Sequence, residues 1–177
     1  DILIDQVFVF TPKGEIKDMP KGATPLDLAY RVHTEVGHHC VGSKVNGRLV
    51  SLNTPLQNGD VVEIMTTKND KGPSRDWLNN NLGYVRTSQA RVKIRQWFRK
   101  QERVDNIERG REVLAHEMRR LGIGHKERAE LPRLFKYDNL EEFMIAVGNG
   151  DITTRQIALA FVAEEERAEI NAPKPKS

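Results

Sequence analysis

Tyr30-Arg31-Val32-His33-Thr34-Glu35-Val36-Gly37-His38-His39-Cys40-Val41-Gly42 is the stretch on which the fold turns. Upstream the apolar spacing is helical; downstream it alternates, so a helix ends and a strand begins inside these residues. Thr24-Pro25-Leu26-Asp27 reads as the helix start. Thr24 caps, Pro25 takes the first helical position where its missing N–H costs nothing, and Asp27 favours the positive end of the helix dipole. Leu26, Ala29, Tyr30 and Val32 or His33 make the inward stripe. On the other side, Cys40 to Val45 is expected as a strand, Asn46-Gly47 as a tight hairpin turn, and Arg48-Leu49-Val50 as the returning strand.

Further out, Val7-Phe8-Val9-Phe10 is a short β-rich run closed by Thr11-Pro12-Lys13-Gly14, and Glu15 to Met19 returns from it. Asn58-Gly59-Asp60 marks another turn before a fifth strand, Val61 to Met65. The order is hairpin, helix, hairpin, strand. That is the order of a β-grasp, a mixed sheet with one helix across one face. Lys68 to Pro73 carries no pattern and reads as a connector, and Ser74 to Leu78 as a short helix. Beyond it the apolar period becomes about 3.6. Helices are expected from Thr87 or Ser88 to about Gln101, from Asp105 to Leu121, from the Asp138-Asn139-Leu140-Glu141 capping signal to Val147 with Gly148 closing it, and from Thr154 to about Ile170. Ala90, Ile94, Trp97, Phe98 and Gln101 share a face of the first. Asn171 to Ser177 reads as a frayed tail. The fold class is α+β: a β-grasp domain over 5–67, a linker over 68–84 and an all-α domain over 85–170.

Charged residues make up 30% of the 177 and hydrophobic ones 38%, with a formal net charge of +3. No apolar run approaches the roughly 20 residues a bilayer span needs, and no leader pattern opens the chain. A single cysteine, Cys40, forms no internal disulfide, which fits a reducing, cytoplasmic setting. The first residues, Asp1-Ile2-Leu3-Ile4-Asp5, suggest a piece of a longer protein. No phosphate-cradling glycine loop, nucleophile elbow or paired metal-ligand spacing occurs, so no catalytic residue, cofactor or metal is expected.

The histidine and cysteine cluster supports three readings. His38 and Cys40, with His33, are candidate zinc ligands, although a second ligand pair is missing. Alternatively one histidine caps a helix end and Cys40 is a small buried apolar residue. In the third reading, an exposed imidazole stacks on an unpaired base. Arg91, Arg95, Arg99 and Arg103 recur every four residues and either track a phosphate backbone or form a solvated helix face. Lys44, Arg48 and Lys13 widen a basic surface or deter sheet pairing at edges.

Val7-Phe-Val-Phe-Thr-Pro-Lys-Gly14, Thr24-Pro-Leu-Asp-Leu-Ala-Tyr30, Val32-His-Thr-Glu-Val-Gly-His38 and Leu56-Gln-Asn-Gly-Asp-Val-Val-Glu-Ile64 resemble the TGS domain, a β-grasp. Ser74-Arg-Asp-Trp-Leu-Asn79, Leu82-Gly-Tyr-Val-Arg-Thr-Ser88, Lys93-Ile-Arg-Gln-Trp-Phe-Arg-Lys-Gln101 and Gly148-Asn-Gly-Asp-Ile152 resemble the region after TGS in long RelA/SpoT-type enzymes that make and hydrolyse (p)ppGpp. His39 and the loop Ser51 to Pro55 depart from that pattern. The resemblance implies a regulatory TGS and helical part without catalytic domains. It implies as partners a deacylated tRNA on the ribosome and the parent's own catalytic half, with no membrane. It assigns His38 to the terminal nucleotides of the tRNA. Lys44 and Arg48 are candidate phosphate contacts, and the arginine stripe supplies weaker attraction. The alternative is a protein-interaction module that docks on the enzyme's own catalytic half or an acidic protein.

Overall fold

The computed structural model describes residues 5–69 and 71–173. The expectations for Asp1–Ile4, Asp70 and Lys174–Ser177 lie outside them. The chain forms two compact units, divided between Arg99 and Lys100.

In the first unit, β1 (Gln6–Phe10) pairs antiparallel with β2 (Ile16–Pro20). β3 (Cys40–Val45) lies between β4 (Arg48–Val50) and β5 (Val62–Thr66), antiparallel to both. A parallel bridge from Phe10 to Val61 brings β1 beside β5, so the strand order is the mixed one of a β-grasp. The β3–β4 turn is as the Asn-Gly pair demands: Asn46 and Gly47 both have left-handed φ, 55° and 82°. The Asn46 amide also donates to Asp60, 2.9 Å, and its oxygen accepts from the Val61 N–H, 2.9 Å, which ties the hairpin to the entry of β5.

Helix α1 (Pro25–Val32) has the full capping box expected from its sequence, with Thr24 and Asp27 satisfying each other's backbone N–H. Its inward face carries Leu26, Leu28, Ala29 and Tyr30; of the alternatives Val32 or His33 expected to extend it, both are exposed. One side of α1 closes over Val7, Val9, Met19, Leu56 and Val62. The other meets residues well beyond the β-grasp: Leu26, Ala29 and Tyr30 pack with Trp77, Val85, Ala90 and Ile94.

The segment 68–84, a linker by its sequence, therefore contributes to a core. It forms two short 3₁₀ turns, Arg75–Leu78 capped by Ser74 and Asn80–Leu82 capped by Asn79, with Trp77 buried. The sequence lacks a period there because so short an element shows only one or two inward residues.

A short helix α2 (Thr34–His38) leads into β3, and α3 runs from Ser88 to Leu121 without a break. The sequence predicts two helices with a gap after Gln101; Glu102, Arg103 and Val104 include no breaker, and the helix continues through them. In the second unit α4 (His125–Leu134), where no helix is expected from sequence, α5 (Leu140–Gly148) and α6 (Thr154–Asn171) surround Leu114, Leu131, Phe143, Ile157 and Phe161. Asn139 caps α5 through the Glu142 N–H, 2.8 Å, and Thr153 and Gln156 form a capping box on α6.

Candidate nucleic-acid interface

Helix α1 ends at His33, which has extended backbone and begins α2 by accepting the Glu35 N–H on its Nδ1, 3.0 Å. His33 is thus a cap. His39, closing α2, directs Nδ1 to the Glu35 carbonyl at 2.8 Å. Cys40 is 4% exposed, with its Sγ 3.7 Å from the Gly42 carbonyl, and burial pushes its thiol up to about 11. A thiol held so is protonated at neutral pH, a poor nucleophile and a poor metal ligand. No group of three metal-binding side chains occurs among the described residues.

His38 lies differently from the open imidazole expected. It is 8% exposed. Its Nδ1 is 2.9 Å from the Tyr30 hydroxyl, with the rings edge to face at 5.2 Å. Burial raises the Tyr30 phenol far above its usual range, so it keeps its proton. The Tyr30 hydroxyl and His38 Nδ1 share one hydrogen bond, whose direction follows the tautomer of the imidazole.

Gly37 makes the pair possible: a Cβ there would fall 2.3 Å from the Tyr30 ring. His38 also neighbours Trp97 of α3, with centroids 6.4 Å apart and the rings tilted. Trp97 is itself wedged against Phe98, 5.0 Å edge to face, and against Gly72, where a Cβ would sit 2.2 Å from the indole. Arg75 covers the Phe98 ring at 4.6 Å. From sequence Trp97 belongs to the core face of a helix. It is half-buried, and its place beside His38 depends on a contact 59 residues away in the chain that no local pattern carries.

A second residue whose role the sequence does not announce is Asp27. The Arg86 N–H donates to its carboxylate at 2.9 Å, and the Thr87 N–H and hydroxyl donate at 3.1 and 2.9 Å. The Thr24 hydroxyl donates to the Tyr84 carbonyl, 2.6 Å. Thr87 in turn accepts from the Ala90 N–H, 3.2 Å, at the start of α3. This clasp fixes α3, and with it Trp97, against α1.

The remaining candidates are not gathered at His38. Lys44 pairs with Leu49 and Arg48 with Val45, so alternation sets Lys44 on the outer face and Arg48 on the face that carries the core. Both are exposed, and both lie at the far end of β3 from His38. The arginine stripe is divided too. Arg91 turns back to the Val85 carbonyl, 3.4 Å. Arg103 belongs to the second unit, where it grips Glu141 and Glu142 at 3.0 and 2.8 Å. Arg95 and Arg99 remain exposed, with no ion pair among the described residues.

Residues 7–66 match the TGS domain model and residues 97–162 match the RelA/SpoT AH domain model. The chain is 51% identical over 155 residues to a GTP pyrophosphokinase of Escherichia coli, an alignment covering 86% of this chain and 21% of that protein. A GTP pyrophosphokinase of Haemophilus influenzae is 49% identical, with 84% of this chain and 20% of that protein aligned. The bifunctional (p)ppGpp synthase/hydrolase RelA of Mycobacterium tuberculosis is 40% identical over 98% of this chain and 25% of its own length. The chain spans between a fifth and a quarter of these relatives.

Proposed function

The chain carries a TGS domain followed by a RelA/SpoT AH domain, and from that premise we propose that it is the non-catalytic, regulatory part of a GTP pyrophosphokinase that reads the 3′ end of a deacylated tRNA on the ribosome. It relays that signal to catalytic domains supplied by the rest of the parent. The observation that carries the reading is the aromatic corner in which His38 touches both Tyr30 and Trp97. An aromatic cluster beside the start of a β-strand suits an unpaired base, which stacks on a π face for about 1–3 kcal/mol.

Trp97 lies beside the buried His38 ring, and terminal adenosine displaces the indole to reach it. Lys44 on β3 and Arg48 on β4 lie at the far end of β3 from this corner, at roughly 3.3 Å per residue, a distance suited to phosphates several nucleotides back. Presented from opposite faces of the β3–β4 hairpin, they grip a strand that crosses it. Arg95 and Arg99 add salt-sensitive attraction.

In the full enzyme, His38→Ala abolishes tRNA-stimulated synthesis and leaves basal synthesis intact. Trp97→Ala lowers the tRNA concentration needed for stimulation. Undiminished stimulation in a folded His38→Ala enzyme removes the corner from this role. The division of the arginine stripe favours a second reading, a module that docks on the parent's catalytic half or on an acidic protein. Salt-dependent binding of deacylated but not aminoacylated tRNA by the chain distinguishes the first reading from the second.

A further inference from the structure

In the second unit, α4 and α6 leave between them an open groove of about 760 Å³. Its floor is apolar: Leu131, Leu134 and Phe161 contribute, with Ala129 and Ala168 beside them. The α6 side is presented by Phe161, Glu164, Glu165, Ala168 and Glu169. That spacing puts them on one helical face over two turns. After Phe161 every described residue of α6 is exposed, so this face has no covering element among the described residues.

The rim has one dominant sign. Five glutamates, Glu127, Glu130, Glu164, Glu165 and Glu169, line it against the single cation Lys126. Glu130 is paired with Arg133 at 3.6 Å and Glu164 with Arg167 at 3.4 Å, both exposed contacts of little energetic weight. Glu127, Glu165 and Glu169 enter no ion pair among the described residues. Carboxylates flanking an apolar trough repel phosphate and anionic lipid. They attract a segment that offers apolar side chains on one face and lysine or arginine on its flanks.

We propose that the α4–α6 groove docks a basic amphipathic helix of a protein partner. Apolar anchors spaced three and four residues apart enter over Leu131, Leu134 and Phe161, and basic side chains reach the glutamate rim from either side. The two faces are about two turns long, roughly 11 Å, enough for two or three anchors of the incoming helix. This surface belongs wholly to the second unit and does not depend on the tRNA reading of the first.

The test uses the whole chain and a synthetic helix patterned from Leu and Lys. Its controls are a scrambled peptide of the same composition and a helix with Glu in place of Lys. Anisotropy titration at about 0.15 M salt gives tighter binding of the patterned basic helix than of either control, by about tenfold or more. Amide shifts fall on 126–134 and 161–169. Glu165→Lys with Glu169→Lys, and separately Leu134→Ser, each weaken binding about tenfold, whereas Glu166→Lys, off the groove, changes it less than about twofold.

Equal binding of the scrambled peptide, equal loss in Glu166→Lys, or shifts elsewhere overturn the proposal. So does sedimentation showing that the chain self-associates and that the groove variants abolish it, since a second copy is then the occupant. Preferential binding of RNA or anionic vesicles through these residues overturns it as well.

Discussion

Gly37 and Cys40 differ in how openly their roles are written. Gly37 has an ordinary backbone conformation, yet any side chain there runs into the buried Tyr30 ring. Gly37→Ala is expected to destabilise the first unit by about 1–3 kcal/mol, an overpacking cost, measurable by urea denaturation. It also weakens the Tyr30–His38 bond, visible as altered His38 ring resonances. Cys40 is legible as a small buried residue from its place at a strand start. Its thiol titrates near 9 when unfolded and about 11 when buried, so the folded state binds the extra proton between those values. Stability is therefore full below about pH 9 and falls as pH rises towards 11, by on the order of 2 kcal/mol. Between about pH 9 and 10, below the range in which Tyr30 adds a loss of its own, a Cys40→Ala chain lacks that slope. Asp27 is legible only as a helix-start carboxylate, because its donors at Arg86 and Thr87 come from the far side of the unit. Asp27→Ala leaves several buried N–H groups unanswered and is expected to cost at least about 3 kcal/mol in thermal or chemical unfolding.

At the scale of elements, α3 and α5 approach more closely than ordinary side chains allow. A Cβ on Gly110 would lie 1.9 Å from the Met144 carbonyl, and one on Gly148 would lie 1.9 Å from the Asn106 carbonyl. The two glycines answer each other across the pair of helices, each facing the residue one turn before the other. By its sequence Gly148 reads as a helix stop; α5 is closed by Asn149, and the left-handed φ falls on Gly150 at 88°. Close approach and chain termination both call for glycine, and sequence alone does not separate them. Gly110→Ala, favourable by helix propensity alone, is expected to lower stability of the second unit by about 2 kcal/mol or more, because backbone has to move. Hydrogen exchange in α5 and the adjacent turns of α3 locates the effect. The strands, by contrast, match their expected ranges to within a residue or two, since turn chemistry at Asn46-Gly47 and Asn58-Gly59 pins both ends.

For the whole molecule, the division into a β-grasp and a helical unit is readable from the change of apolar period, but the edge of the first unit is not. Its core draws on Trp77, Val85, Ala90 and Ile94, beyond the residues that match the TGS model. A chain ending at Thr67 is expected to melt well below one ending at Arg99, and to show exposed apolar surface by dye binding. Equal melting temperatures would mean that the clasp at Asp27 is dispensable. For anyone transplanting this first unit into another scaffold, the exchangeable cassette closes three helical turns into α3. A graft cut at the last strand discards the wall of its own interior and the indole beside His38.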